Sequence, residues 1–167
     1  MATNVSSVLG ASLSSSDTTK LFALGTRIQG TDDTWWEYVE ATSTFITGQL
    51  VIVNAAGTAM SLTTAKYAAP SFHGQDIGFA QFAVNQGEFA FVAKQGRNLY
   101  VLTTGTIAAG TGVALVLDGK IGPMAAAAVG QTMAGIHITT SASTAAAYTA
   151  IATVTWPRSV VTTGFQG

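Results

Sequence analysis

The chain has 167 residues, enough for one domain with its own core, and no cysteine, which excludes disulfides, thiolate catalysis and thiolate metal sites. Only 9% of its residues are charged, against about a quarter in an average soluble domain, and the formal net charge is -1. Its seven Lys and Arg residues form no basic cluster, so a nucleic-acid partner is not expected; nor is a membrane, because no run approaches the ~18 uninterrupted apolar residues of a spanning helix.

A chain this poor in charge covers itself with Thr, Ser, Asn and Gln or hides surface in contacts. The charges are also unevenly spread. Ala41 to Ala65 carries none, and beyond Lys120 the one charged side chain is Arg158, which marks both stretches as core or subunit-contact segments. The N-terminus lacks a basic segment followed by an apolar one, so synthesis in a cytoplasm is expected.

Residues 1–20 are rich in Ser, Thr, Ala and Asn and show neither helical nor strand periodicity. They read either as a frayed terminus or as an extended arm lying on a neighbouring subunit. The folded domain is expected over residues 21–157, with 158–167 as a C-terminal tail. Leu21 to Ile28 leads to a turn at Gln29 to Asp33, and Thr34 to Glu40 reads as a return strand. Each face of that strand carries an aromatic and an acid, which suggests an edge or interface strand. Trp35 and Trp36 either cap the core or anchor a contact.

Phe45 to Val53 is a strand entered through Gly48, and Ala59 to Thr63 a short second one after the turn at Asn54 to Thr58. Lys66 to Gln75 is irregular. Asp76 to Val84 is another strand, turned by Asn85-Gln86-Gly87 into the clearest stretch of the chain, Gly87 to Thr103. Two aromatic and β-branched runs flank Lys94-Gln95-Gly96-Arg97-Asn98 there, which predicts a hairpin reversing at those five residues. Phe89, Phe91 and Ala93 share one face of its first strand and Ala90, Val92 and Lys94 the other, so both faces are expected to be covered.

Val113 to Leu117 is a strand stopped by Asp118-Gly119, a strong hairpin cue, although Lys120 to Pro123 is short for a partner. Met124 to Val129 suits one helical turn. Thr132 to Thr139 and Tyr148 to Trp156 are strands, the latter ended by Pro157. About eight short strands with Gly-rich turns and almost no helix predict an all-β fold, a small barrel or sandwich with an extended N-terminal arm.

Catalytic and metal-binding patterns are missing. His73 and His137 have no ligand at metal spacing, Asp32-Asp33 reads as a solvated turn, and Gly119-Lys120 fails as a phosphate loop because Ala114 stands where the earlier glycine belongs. There is no Gly-x-Ser-x-Gly elbow and no evident pair of acids for glycoside hydrolysis. An enzyme is not expected, and neither is a cofactor or a metal.

The succession Gly48-Gln49-Leu50-Val51, Asp76-Ile77-Gly78-Phe79-Ala80, Gly87-Glu88-Phe89-Ala90-Phe91-Val92, Ala109-Gly110-Thr111-Gly112-Val113 and Ala134-Gly135-Ile136, with a closing alternating strand, resembles the small β-barrel decoration (cement) proteins of tailed-bacteriophage heads. Leu24 to Asp32 followed by Trp36-Glu37-Tyr38-Val39 is similar to short structural proteins of marine and cyanobacterial podoviruses. Together these cover about Leu21 to Trp156. The resemblance implies a homotrimer on the capsid exterior that joins neighbouring major capsid protein subunits. Trp35, Trp36, Tyr38, Phe89, Phe91 and Tyr100 are then the candidate subunit or capsid contacts, with the arm touching capsid. The rival is a tail, fibre or head-tail subunit that binds a receptor or carbohydrate. Its aromatic platform of Trp35, Trp36 and Tyr38 is weakened because the two tryptophans point to opposite strand faces.

Overall fold

Alternation of small apolar residues with larger ones decides the architecture. The computed structural model describes residues 12–30, 33–62, 76–110, 113–117, 119–123, 132–140 and 149–160. They form ten strands: β1 (Arg27–Gln29), β2 (Trp35–Ala41), β3 (Leu50–Val53), β4 (Thr58–Ser61), β5 (Asp76–Phe79), β6 (Phe89–Leu102), β7 (Val113–Leu117), β8 (Lys120–Pro123), β9 (Thr132–Thr140) and β10 (Thr149–Val160). The expected small all-β barrel is what the chain forms. Strands pair in the order β1-β2-β4-β3-β5-β6-β10-β9-β7-β8, and a further β2–β6 pairing closes β2, β4, β3, β5 and β6 into a five-stranded barrel. β10, β9, β7 and β8 continue from β6 as an outer sheet.

A five-stranded ring encloses little volume, so its interior takes Ala and Val rather than Leu or aromatics. Val39, Ala41, Val51, Val53, Ala59, Ala80, Ala90 and Val92 form that inner cluster. Phe45 and Val84 close one end of it, joined by two backbone hydrogen bonds of 2.8 and 3.1 Å. A second, larger cluster lies on the other face of the same strands. There Tyr38, Leu50, Ile52, Phe79, Phe91 and Val101 meet Ile138, Ala150, Ala152 and Val154 of the outer sheet. Full burial of Phe79 or Phe91 contributes about 1.5–3 kcal/mol each.

Both faces of β6 are therefore covered, as its sequence predicts, but the predicted hairpin is not there. Residues 89–102 are one continuous strand of 14 residues. Lys94 to Asn98 do not reverse the chain; they bulge it. The β2 ladder slips between Trp35 and Trp36, and the β10 ladder slips between Ala152 and Val154, opposite Gly96 to Leu99. Gly96 (φ 153°) and Asn98 (φ 57°) supply the irregular backbone. Gly96 also leaves room for Thr34, whose Cγ2 would lie 2.6 Å from an added Cβ. At this bulge β6 changes partner, pairing with β2 through Gln95 and with β10 from Gln95 onward.

Two further expectations are corrected. β2 is not an edge strand: β1 and β4 pair with one side of it and β6 with the other. The last strand does not stop at Pro157 but runs to Val160, and its pairing with β9 resumes at Arg158 opposite Ala134. Proline is tolerated there because the ladder skips the residues between Val154 and Arg158, where Trp156 takes a positive φ of 41°. The Asp-Gly hairpin forms as expected, with Lys120–Pro123 as a four-residue partner for β7. The helical turn expected over Met124 to Val129, like residues 1–11, lies outside the described residues.

Residues 12–24 lie across the outer face of β2 and β6. Leu13 is buried, Asp17 exchanges two 2.8 Å backbone hydrogen bonds with Phe89, and Leu21 N donates to Tyr38 Oη at 3.0 Å. The Phe22 ring sits edge-on to Tyr38 at 5.2 Å and 5.7 Å from Phe91.

Candidate functional site at the barrel mouth

The inward positions of the ring are Glu37, Val39 and Ala41 on β2, and Ala90, Val92 and Lys94 on β6. The apolar filling thus ends in a charged pair at the end opposite Phe45. Gly78 on β5 makes this possible: an added Cβ would lie 3.2 Å from Val92 Cγ2 and 3.4 Å from Lys94 Cδ. The aliphatic stem of Lys94 passes through that space. β1 pairs with β2 so that Arg27 stands opposite Glu37, and Asp76 opens β5 opposite Val53.

Four charged side chains from four strands meet here. Arg27 Nη2 donates to Asp76 Oδ2 at 2.6 Å, and Arg27 Nε donates to Glu37 Oε2 at 3.2 Å. Lys94 Nζ lies 3.7 Å from Glu37 Oε2 and 3.8 Å from Asp76 Oδ2. Side-chain exposure grades outward, from 1% for Lys94 and 6% for Glu37 to 45% for Arg27 and 50% for Asp76. Burial pushes the Lys94 ammonium below the usual lysine range, and the carboxylates of Asp76 and Glu37 oppose that only in part.

Above the cluster is a cavity of about 510 Å³, lined by Arg27, Glu37, Asp76, Val53 and the β3–β4 turn with Asn54, Ala55 and Gly57. Beside it, Arg27 Cζ stands 5.4 Å from the centre of the Trp156 ring system, and Trp156 lies 6.5 Å from Trp35. A smaller cavity of about 200 Å³ opens at the β6 bulge, between Asp33, Arg97 and Thr153.

The six aromatic residues singled out from the sequence separate into two groups. Trp36, Tyr38 and Phe91 are buried in the larger cluster. Trp35, Phe89 and Tyr100 keep partial exposure: Trp35 beside Trp156, Phe89 stacked on Tyr38 at 6.2 Å, and Tyr100 on β6 opposite Ile151 of β10, where its N–H donates to Gln81 Oε1 at 2.8 Å. The mouth cluster was not evident from sequence. Its trace is Lys94 closing the otherwise apolar set Ala90, Val92, and Glu37 lying between aromatics.

Among the described residues no group of three or more His, Asp or Glu side chains is arranged to hold a metal, and no helix is long and apolar enough to cross a membrane. No protein-family model and no curated protein matches the chain. Among solved structures, the chain is similar to the N base of head fiber gp8.5 of bacteriophage phi29, at 12% identity and a TM-score of 0.47, over 74% of this chain and 95% of that one.

Proposed function

We propose that this chain is a structural subunit of a tailed-bacteriophage particle, attached to the capsid exterior, where it self-associates and braces neighbouring major capsid protein subunits. The observation that carries this reading is the uncharged outer face of β9 and of β10 as far as Trp156. Neither Thr132–Thr140 nor the stretch from Thr149 to Trp156 contains an Asp, Glu, Lys or Arg. Ala150, Ala152 and Val154 point into the core, so Ile151, Thr153 and Thr155 face outward, with His137 beside Thr153 and Tyr100 beside Ile151. A sheet face of Thr, Ile, Tyr and His without charge offers contact area at low desolvation cost. A homotrimer is the assembly we favour, following the family resemblance.

Light scattering coupled to size exclusion tests self-association, and Ile151→Lys serves as the disrupting variant. An assembled wild type and a folded, monomeric variant are expected. A wild type that stays monomeric at assembly concentrations overturns the reading. Electron microscopy of the parent particle tests the location.

A second reading, a tail, fibre or head-tail subunit, is favoured by the polar cavity at the barrel mouth. A subunit that only clamps its neighbours has no need of one.

A further inference from the structure

We propose that the barrel mouth binds a neutral, hydroxyl-rich ligand, a saccharide, with Glu37 and Asp76 as its hydrogen-bond acceptors and the indoles of Trp35 and Trp156 as flanking apolar surface. The inference deepens the second reading above by naming the ligand class and the residues that take it.

Size and polarity come first. A cavity of about 510 Å³ falls within the range of small-molecule sites, and three of its lining residues are charged. The charges cancel. Arg27 and Lys94 balance Glu37 and Asp76, with every opposite pair within 3.8 Å. An entering anion meets two carboxylates and an entering cation meets a guanidinium and an ammonium, so neither gains much from the field. A neutral polar ligand is not penalised in this way.

The hydrogen-bonding capacity left over is specific. Both ion-pair networks use Glu37 Oε2 and Asp76 Oδ2, and no described residue donates to Glu37 Oε1 or Asp76 Oδ1. Lys94 Nζ is buried and has no hydrogen-bond partner, since its two carboxylate contacts exceed hydrogen-bond length. The mouth therefore presents two free acceptors, with an unsatisfied donor behind them. A hydroxyl donates and accepts at once, so adjacent hydroxyls on a ring match this pattern better than a group that only donates or only accepts.

The aromatic surface is not the one the sequence suggests. Trp36 is in the core, whereas Trp156, within the break in β10, stands 6.5 Å from Trp35 and 5.4 Å from Arg27 Cζ, next to the cavity lining rather than part of it. Both indoles keep partial exposure. They offer apolar area for the C–H face of a ring that extends out of the cavity.

The test is a glycan array of neutral hexoses, deoxyhexoses and N-acetylhexosamines beside acidic sugars, followed by calorimetric titration of the hit. A neutral saccharide is expected to bind. Asp76→Asn should weaken it about tenfold or more, the cost of a hydrogen bond to a charged acceptor. Ala55→Trp fills the cavity from an exposed turn residue while leaving all four charged side chains in place and should abolish binding with the fold retained, which keeps the test valid if Asp76→Asn melts early. Asp33→Asn, at the smaller cavity, should change nothing. No neutral hit at millimolar concentration, a preference for acidic sugars, or a hit indifferent to Ala55→Trp overturns the proposal. The second reading itself is tested separately, by the location of the chain on the particle in electron micrographs, which none of these outcomes changes.

Discussion

Lys94 and Glu37 face each other across the β2–β6 seam, Nζ to Oε2 at 3.7 Å, where the apolar filling of the barrel gives way to charge. Removing the Glu37 charge leaves the buried Lys94 ammonium with Asp76 as its one remaining carboxylate, whereas removing the ammonium leaves Glu37 and Asp76 both still paired with Arg27. Glu37→Gln should therefore lower stability by about 2 kcal/mol or more, and Lys94→Met should change it by less than about 1 kcal/mol or raise it. Urea denaturation of both variants decides this, and a severely destabilised Lys94→Met refutes it.

The same lysine gives a signed pH dependence. Burial lowers its pKa in the folded state, so the unfolded chain holds the proton more tightly. The penalty is fully present below the folded value and fades as pH rises towards the unfolded value of about 10.4. The wild type should gain stability relative to Lys94→Met over that window, measured by denaturation at stepped alkaline pH.

Glu88 should act in the opposite pH range. Its carboxylate accepts from Ser16 Oγ at 2.6 Å and from Asn85 N and Nδ2 at 3.0 Å, and these bonds hold it below the usual carboxylate value. The folded pKa is depressed, so its contribution is present above the unfolded value of about 4.3 and is lost as pH falls through the folded one. The protection factors of the Asp17 and Phe89 amides, taken against the intrinsic exchange rate at each pH, should fall on acidification, and Glu88→Gln should remove that response.

Tyr38 Oη accepts from Leu21 N, so Tyr38→Phe should cost about 1 kcal/mol and expose residues 20–24 to proteases. Limited proteolysis with mass mapping reads this directly. An unchanged cleavage pattern would show that the ring contacts of Phe22 alone hold the segment.

Gly96→Ala should cost about 2 kcal/mol or more, because φ 153° suits glycine and Thr34 fills the space a Cβ needs. The loss should be smaller in Thr34→Gly, which empties that space, when the two changes are combined in a thermodynamic cycle.

Elements with a local cause were legible in the sequence. Alternation shows β6 covered on both faces, and Asp118-Gly119 marks the β7–β8 hairpin. The errors lie where tertiary contacts choose between two local options. Gly96-Arg97-Asn98 suits a reversal or a bulge equally well, and what selects the bulge is a pair of partner strands together with Thr34, distant in sequence. Pro157 ends an isolated strand but not one whose neighbour skips it. Arg27, Glu37, Asp76 and Lys94 lie on four strands, and only the closed ring makes them one site. Trp156 neighbours Trp35 because β6 carries both β2 and β10 at its bulge, a pairing equally distant in sequence.

The β2–β6 seam also orders events in time. Glu40 pairs with Phe89 and Trp35 with Gln95, so a growing chain that has emerged only as far as β5 holds an open sheet with two bare edges. The ring closes only after Gln95 emerges, and the outer sheet has no strand to dock on before then. Pairings this distant in sequence make folding slow and leave those edges open to other chains meanwhile.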